Sequence, residues 1–116
     1  MSAPAPMNAA PFPYAGPSEL EAQVVRALTN VIDPEFALTI VDLGLIYGVT
    51  VDAERVHVLL TMTSAACPVA DVIVDDAGHE ISQIAGERRV DVELVWEPPW
   101  SPERLSDRAR RFMLGG

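Results

Sequence analysis

"VHVLLTMTSAACPVADVIVDDAG" (residues 56–78) changes its repeat halfway along. Val56, Val58, Leu60 and Met62 fall on every second position, the period of a strand with one buried face. From Pro68 the period becomes helical: Val69, Val72, Ile73, Ala77, Ile81 and Ile84 share one face, and Gly86 is a natural stop. "RVDVELVWE" (89–97) then returns to period two and points Val90, Val92, Leu94 and Trp96 the same way. A strand, a helix and a strand make a right-handed crossover, so the two strands are expected to run parallel.

Working outward, "LIYGVTVD" (45–52) places Leu45, Tyr47, Val49 and Val51 on one side. With a short turn at "DAER" (52–55) it predicts an antiparallel hairpin onto the strand from Val56. Ser18 and Glu21 form a candidate capping box. Behind it Leu20, Val24, Ala27, Leu28, Val31 and Ile32 make one apolar helical face that Pro34 is expected to end. "VDLG" (41–44) reads as a turn. At the other end "PPWSPERLSDRARRFML" (98–114) gives a rigid joint and a last helix capped by Ser101, with Pro102 at its first position. The order is α-β-β-α-β-α, which predicts an α+β, two-layer domain: a three-stranded mixed sheet with helices on one face. The other face would show His57, Thr61, Asp91 and Glu93 to solvent, to a partner or to a second copy.

"MSAPAPMNAAPFPYAGP" (1–17) holds five of the ten prolines, five alanines and no charge, and is expected to be a flexible tail. Residues 18–116 then form a single domain, large enough to bury roughly 60–65% of the surface of the unfolded chain. No secretory leader or membrane span is legible. A lone cysteine excludes a disulfide framework and suits a reducing, cytoplasmic setting. The net charge of −9 argues against nucleic acid and anionic membranes. All eight basic residues are Arg, and Arg104, Arg108, Arg110 and Arg111 crowd the end, which suits a protein partner.

Cys67 is the chemically distinctive residue. If Pro68 is the first helical position, Cys67 is the N-cap, beside free N–H groups at the positive end of a helix dipole. That position favours thiolate, the form that attacks electrophiles and binds soft metals. The alternative is a cysteine serving as a small buried hydrophobe. Thr61, Thr63 and Ser64 lead into the same loop, either as ordinary strand-end hydroxyls or as donors to a thiolate or bound ion. "DPE" (33–35) is either a helix stop with solvated acids or a source of carboxylates for a cation, Asp33 and Glu35. A thiol enzyme would need a base within reach. His57, mid-strand, and His79, three turns along the next helix, are poorly placed for that.

Together "DPE" (33–35), "VDLGLIY" (41–47), "TMTSAACP" (61–68) and "VWEPPWSPERLSDRAR" (95–110) resemble, in order and spacing, the SufT-like family of metal–sulfur cluster biosynthetic proteins. The resemblance spans residues 18 to 112. It implies an iron–sulfur cluster assembly domain and a role in maturing iron–sulfur proteins, by carrying a cluster or iron or by assisting its delivery. The matching positions are Asp33, Glu35, Asp42, Gly44, Thr61, Thr63, Cys67 and Pro68, followed by Trp96, Pro98, Pro99 and Trp100. It makes Cys67 the metal ligand, with Thr61, Thr63, Asp33 and Glu35 as further cofactor-site residues and no catalytic residue. The implied partners are apo iron–sulfur proteins and cluster carriers or scaffolds.

A sister group serves phenylacetate degradation as an oxygenase subunit, but its members continue into a cysteine-rich segment, and no cysteine follows Cys67. A third group is fused to a P-loop ATPase, and this chain has no lysine for such a motif. A cluster commonly takes four cysteines. A single thiol therefore leaves three arrangements: a homodimer sharing a cluster, a transient ligand during hand-over, or an adaptor that never touches iron. The second fits an exchangeable thiol best.

Overall fold

The parallel pair expected from the change of period is present. Strands β5 (Arg55–Leu60) and β6 (Arg89–Leu94) run side by side from Arg55↔Arg89 to Leu60↔Leu94, and helix α2 (Ala70–Ser82) connects them. The computed structural model describes residues 10–64 and 68–114. Its other elements are β1 (Tyr14–Ala15), α1 (Ser18–Thr29), β2 (Ile32–Asp33), β3 (Leu38–Thr39), β4 (Ile46–Val51), a 3-10 turn (Pro102–Arg104) and α3 (Asp107–Leu114). The fold is α+β, with a mixed sheet ordered β1-β4-β5-β6 and a separate β2–β3 hairpin. Val56, Val58, Leu60 and Met62 are buried as their alternation predicts, together with Leu28, Ile73, Ala77 and Ile81. Helices α1 and α2 pack on each other, and α2 packs on β6.

The sheet has four strands where three were expected. The extra strand comes from the proline-rich stretch expected as a tail over residues 1–17, which joins the fold from residue 10. Phe12 is buried, β1 pairs parallel with β4, and the Val49 amide donates to Pro13 O at 3.0 Å. Two residues between prolines are too short to show a period, so this strand left no trace in the pattern. Ser18 does not cap α1. Pro17 occupies the cap position without a side-chain hydrogen bond, and Glu21 Oε2 instead accepts the Ala10 amide at 2.7 Å. The helix stops at Asn30, four residues before Pro34.

In β4 the expected alternation fails at its start. Leu45 and Ile46 are both buried, which no unbroken strand allows on one face, and the register against β5 shifts between Ile46 and Gly48. The irregularity puts Tyr47 on the side opposite Val49 and Val51. Helix α2 begins at Ala70 with Val69 at its cap, so Pro68 is not its first residue and the position before it is not the cap; Cys67 itself lies outside the described residues. Val72 and Trp96, expected inward, are exposed. The last helix is divided. Ser101 precedes only the 3-10 turn, Leu105 is extended and buried, and the Ser106 hydroxyl then accepts the Ala109 amide at 3.0 Å to start α3.

Candidate functional site

Parallel strands end together, so the segments that follow β5 and β6 are brought side by side. Val95 N donates to Leu60 O at 2.7 Å and Thr61 N to Leu45 O at 2.8 Å, carrying the pairing one residue past each strand. Beyond that point Thr61, Met62, Thr63 and Ser64 face Trp96, Pro99 and Trp100 across a cleft of about 260 Å³. Crevices outside the carboxyl ends of parallel strands are the usual place for ligands in such sheets. Thr61 was expected on the solvent-facing side with His57, but it is only 1% exposed. The segments past the strands cover it. Among the described residues its Oγ1 has no hydrogen-bond partner, although a buried unsatisfied polar atom costs about 1–3 kcal/mol. Ser64 ends the described part of this loop, and Cys67 lies outside the described residues.

The tryptophan wall is held by the turn "VDLG" (41–44), each of whose last three residues receives the C-terminal segment. Asp42 accepts Ser106 Oγ at 2.8 Å and pairs with Arg108; its own carbonyl accepts the Ser106 amide at 2.8 Å. Leu43 O accepts Trp100 Nε1 at 2.7 Å, and Gly44 O accepts Arg104 Nε at 2.9 Å. Arg104 also stacks over the Tyr47 ring at 4.2 Å, and Tyr47 Oη donates to Pro98 O. Burial works against ionisation of Asp42, but hydrogen bonds from Arg108 and Ser106 outweigh it and hold the carboxyl below its usual range. The arginines at the C-terminal end, expected as a docking patch, are therefore largely internal clamps. Arg104, Arg108 and Arg110 all bind this chain's own acceptors.

Asp33 and Glu35 do not line the cleft. Asp33 is 1% exposed, and its Oδ1 accepts the Glu35 amide at 2.8 Å inside the β2–β3 hairpin. A backbone relay links that hairpin to the site: Ile40 N to Val31 O, Leu45 N to Ile40 O, then Thr61 N to Leu45 O. Burial pushes the Asp33 carboxyl above its usual range, more than its backbone hydrogen bonds lower it. A raised folded-state pKa means the native chain binds more protons than the unfolded one between the two values. Asp33 thus costs stability as pH rises through that window, and the penalty is complete above it. Asp33→Asn keeps the acceptor of the turn without the charge. It is expected to be more stable than wild type at pH 7, with the advantage vanishing below the ordinary carboxylate range; urea denaturation at a series of pH values measures this.

Of the residues singled out in the sequence, the structure gathers Thr61 and Thr63 and leaves Asp33 and Glu35 outside the cleft. Trp96, Pro99 and Trp100, which the resemblance names as matching positions without a site role, form its opposite wall. The signal was available: once β5 and β6 are parallel, residues just past one strand must stand near residues just past the other. Among the described residues no three His, Cys, Asp or Glu side chains come together as a metal-ligand set. With one cysteine in the sequence, the described part of a single chain does not complete the coordination of a cluster. Among the described residues no helix is long and apolar enough to cross a membrane.

This architecture is that of a known class. Residues 21–94 match the family model described as iron–sulfur cluster assembly protein, and the chain belongs to that family. It is 36% identical over 97 residues to the Fe–S protein maturation auxiliary factor YitW of Bacillus subtilis, covering 83% of this chain and 94% of that one. It is 40% identical over 86 residues to the auxiliary factor SufT of Staphylococcus aureus, covering 73% and 97%. The crystal structure of a domain of unknown function from Bacillus anthracis superposes with a TM-score of 0.75 at 41% identity, over 84% of this chain and 92% of that one. A conserved hypothetical protein of Thermotoga maritima gives 0.69 at 46% identity, over 78% and 90%.

Proposed function

We propose that this chain is a maturation factor for iron–sulfur proteins that assists the transfer of a cluster, or of iron, to apo-proteins, with Cys67 as a transient thiolate ligand. The metal is cargo in this reading. The observation that carries it is the cleft past β5 and β6, whose buried Thr61 hydroxyl has no partner among the described residues and whose sequence continues three positions from Ser64 to the single cysteine. Membership of the assembly family and likeness to maturation auxiliary factors support the same role. One thiol suits exchange: it takes one coordination position while a carrier or scaffold supplies the others, and it leaves as the apo-protein's cysteines replace it. The working setting is a reducing cytoplasm, where the thiol stays free. The chain is not a thiol enzyme in this reading. Neither histidine lines the cleft: His57 Nε2 meets Glu93 at 2.9 Å and His79 Nε2 meets Gln83 at 2.9 Å.

The test measures iron and acid-labile sulfide per chain after anaerobic reconstitution, and the rate of transfer from a loaded carrier to an apo-enzyme. Wild type is compared with Cys67→Ser. Wild type is expected to accelerate transfer while retaining less than one cluster per chain. Cys67→Ser is expected to slow transfer about 10–100-fold, the range typical of damaged metal sites. Transfer by Cys67→Ser at the wild-type rate would make the chain an adaptor instead.

A further inference from the structure

On the sheet face opposite the buried side chains, two kinds of surface meet. Toward the start of β5 and β6 it is a ladder of paired charges, Arg55–Asp91 at 3.4 Å, Arg89–Asp91 at 3.2 Å and His57–Glu93 at 2.9 Å. Toward their far end it turns apolar. Tyr47, Leu59 and Val95, between Pro13 and Pro98, line an open trough of about 410 Å³ with Arg104 and Glu97 also bordering it.

A matching projection sits on the same chain. Helix α3 is anchored at its start by Ser106, Arg108 and the buried Ala109. Phe112 and Met113 follow Ala109 by three and four residues, so they continue its face beyond the body of the domain. Phe112 is 65% exposed, the most exposed large apolar side chain among the described residues. The charges beside these two features are complementary and unused. Glu97 at the trough and Arg111 next to Phe112 make no ion pair among the described residues. A projection and a trough carried by the same chain suit a two-fold contact, in which residue i of one copy meets residue j of the other and the reverse.

We propose that a second copy of this chain covers the trough, each copy placing Phe112 of α3 over Tyr47, Leu59 and Val95 of the other, with Arg111 against Glu97. The occupant is a second copy because the projecting apolar side chain and both unpaired charges are supplied by this chain itself. Two small patches of this kind bury an area at the low end for specific association, so the dimer is weak and concentration-dependent. The inference stands apart from the metal-transfer reading and survives its failure.

Sedimentation velocity on the full chain, at concentrations on the order of 10 to 500 µM to span a weak association, tests it. Wild type is expected to pass from monomer to dimer across the series. Phe112→Asp is expected to stay monomeric with an unchanged melting temperature, since the side chain is exposed in the monomer. Arg111→Glu is expected to weaken the dimer several-fold, and adding Glu97→Arg to restore it. A wild type that stays monomeric at every concentration overturns the proposal, as does a dimer indifferent to Phe112→Asp. The charge pair separates this contact from another: restoration by the double variant places the two sites against each other, and no restoration overturns that pairing.

Discussion

Replacing Gly44 by alanine is expected to destabilise the domain by about 2–5 kcal/mol, the sum of two independent penalties. The first is conformational. Gly44 has φ +72°, where an L side chain costs about 1–2 kcal/mol. The second is steric. A Cβ there would lie 2.2 Å from the Arg104 carbonyl oxygen and 2.7 Å from Arg104 Cβ, so the backbone of the C-terminal segment has to retreat. That retreat also breaks the bond from Arg104 Nε to Gly44 O and lifts the buried Leu105. For a domain of this size each kcal/mol lowers the melting temperature by roughly 4–8 °C, so a fall of about 8 °C or more is expected in a thermal unfolding experiment. A variant that melts within a few degrees of wild type would mean that the C-terminal segment does not seat on this turn. The substitution is also expected to displace Trp100, whose indole binds Leu43 O one residue away, and thereby to open the cleft without touching any residue that lines it.

This coupling explains what was legible in the sequence and what was not. The β5–α2–β6 unit was readable because each of its elements is long enough to show its period, and its buried residues Val56, Val58, Leu60, Ile73, Ala77 and Ile81 fall where the period puts them. Strand β1 and the β2–β3 hairpin were not, since two-residue strands have no period. Tyr47 was placed on the wrong side because a bulge arises from the need to bury both Leu45 and Ile46, a demand of packing rather than of local pattern. "VDLG" and the C-terminal arginines were each noticed separately. Their joint function as a seat and its clamps depends on contacts such as Asp42–Arg108, which span more than sixty positions, and no local reading reaches that far. In the site, Thr61 and Thr63 were found through their position before Cys67. Trp96 was read as inward because an exposed tryptophan and a core tryptophan look alike in a pattern of alternation.

Thr61→Val is expected to make the protein more stable and less useful. Valine has the shape of threonine without the hydroxyl, and the Thr61 Oγ1 it removes is buried with no hydrogen-bond partner among the described residues. Removing an unsatisfied buried group recovers its desolvation cost, about 1–3 kcal/mol, while the methyl groups keep the packing of the site. At roughly 4–8 °C per kcal/mol, a rise in melting temperature of about 4 °C or more is expected. A domain that keeps such a group against its own stability has a use for it outside the folded chain alone. In the function proposed here that use is a hydrogen bond to the metal-bound sulfur or thiolate during hand-over, so the stabilised variant is expected to transfer cluster more slowly than wild type. The two measurements together separate the possibilities. Higher stability with slower transfer supports a hydroxyl kept for cargo. Higher stability with unchanged transfer shows an idle hydroxyl, and lower stability shows that the native chain satisfies it.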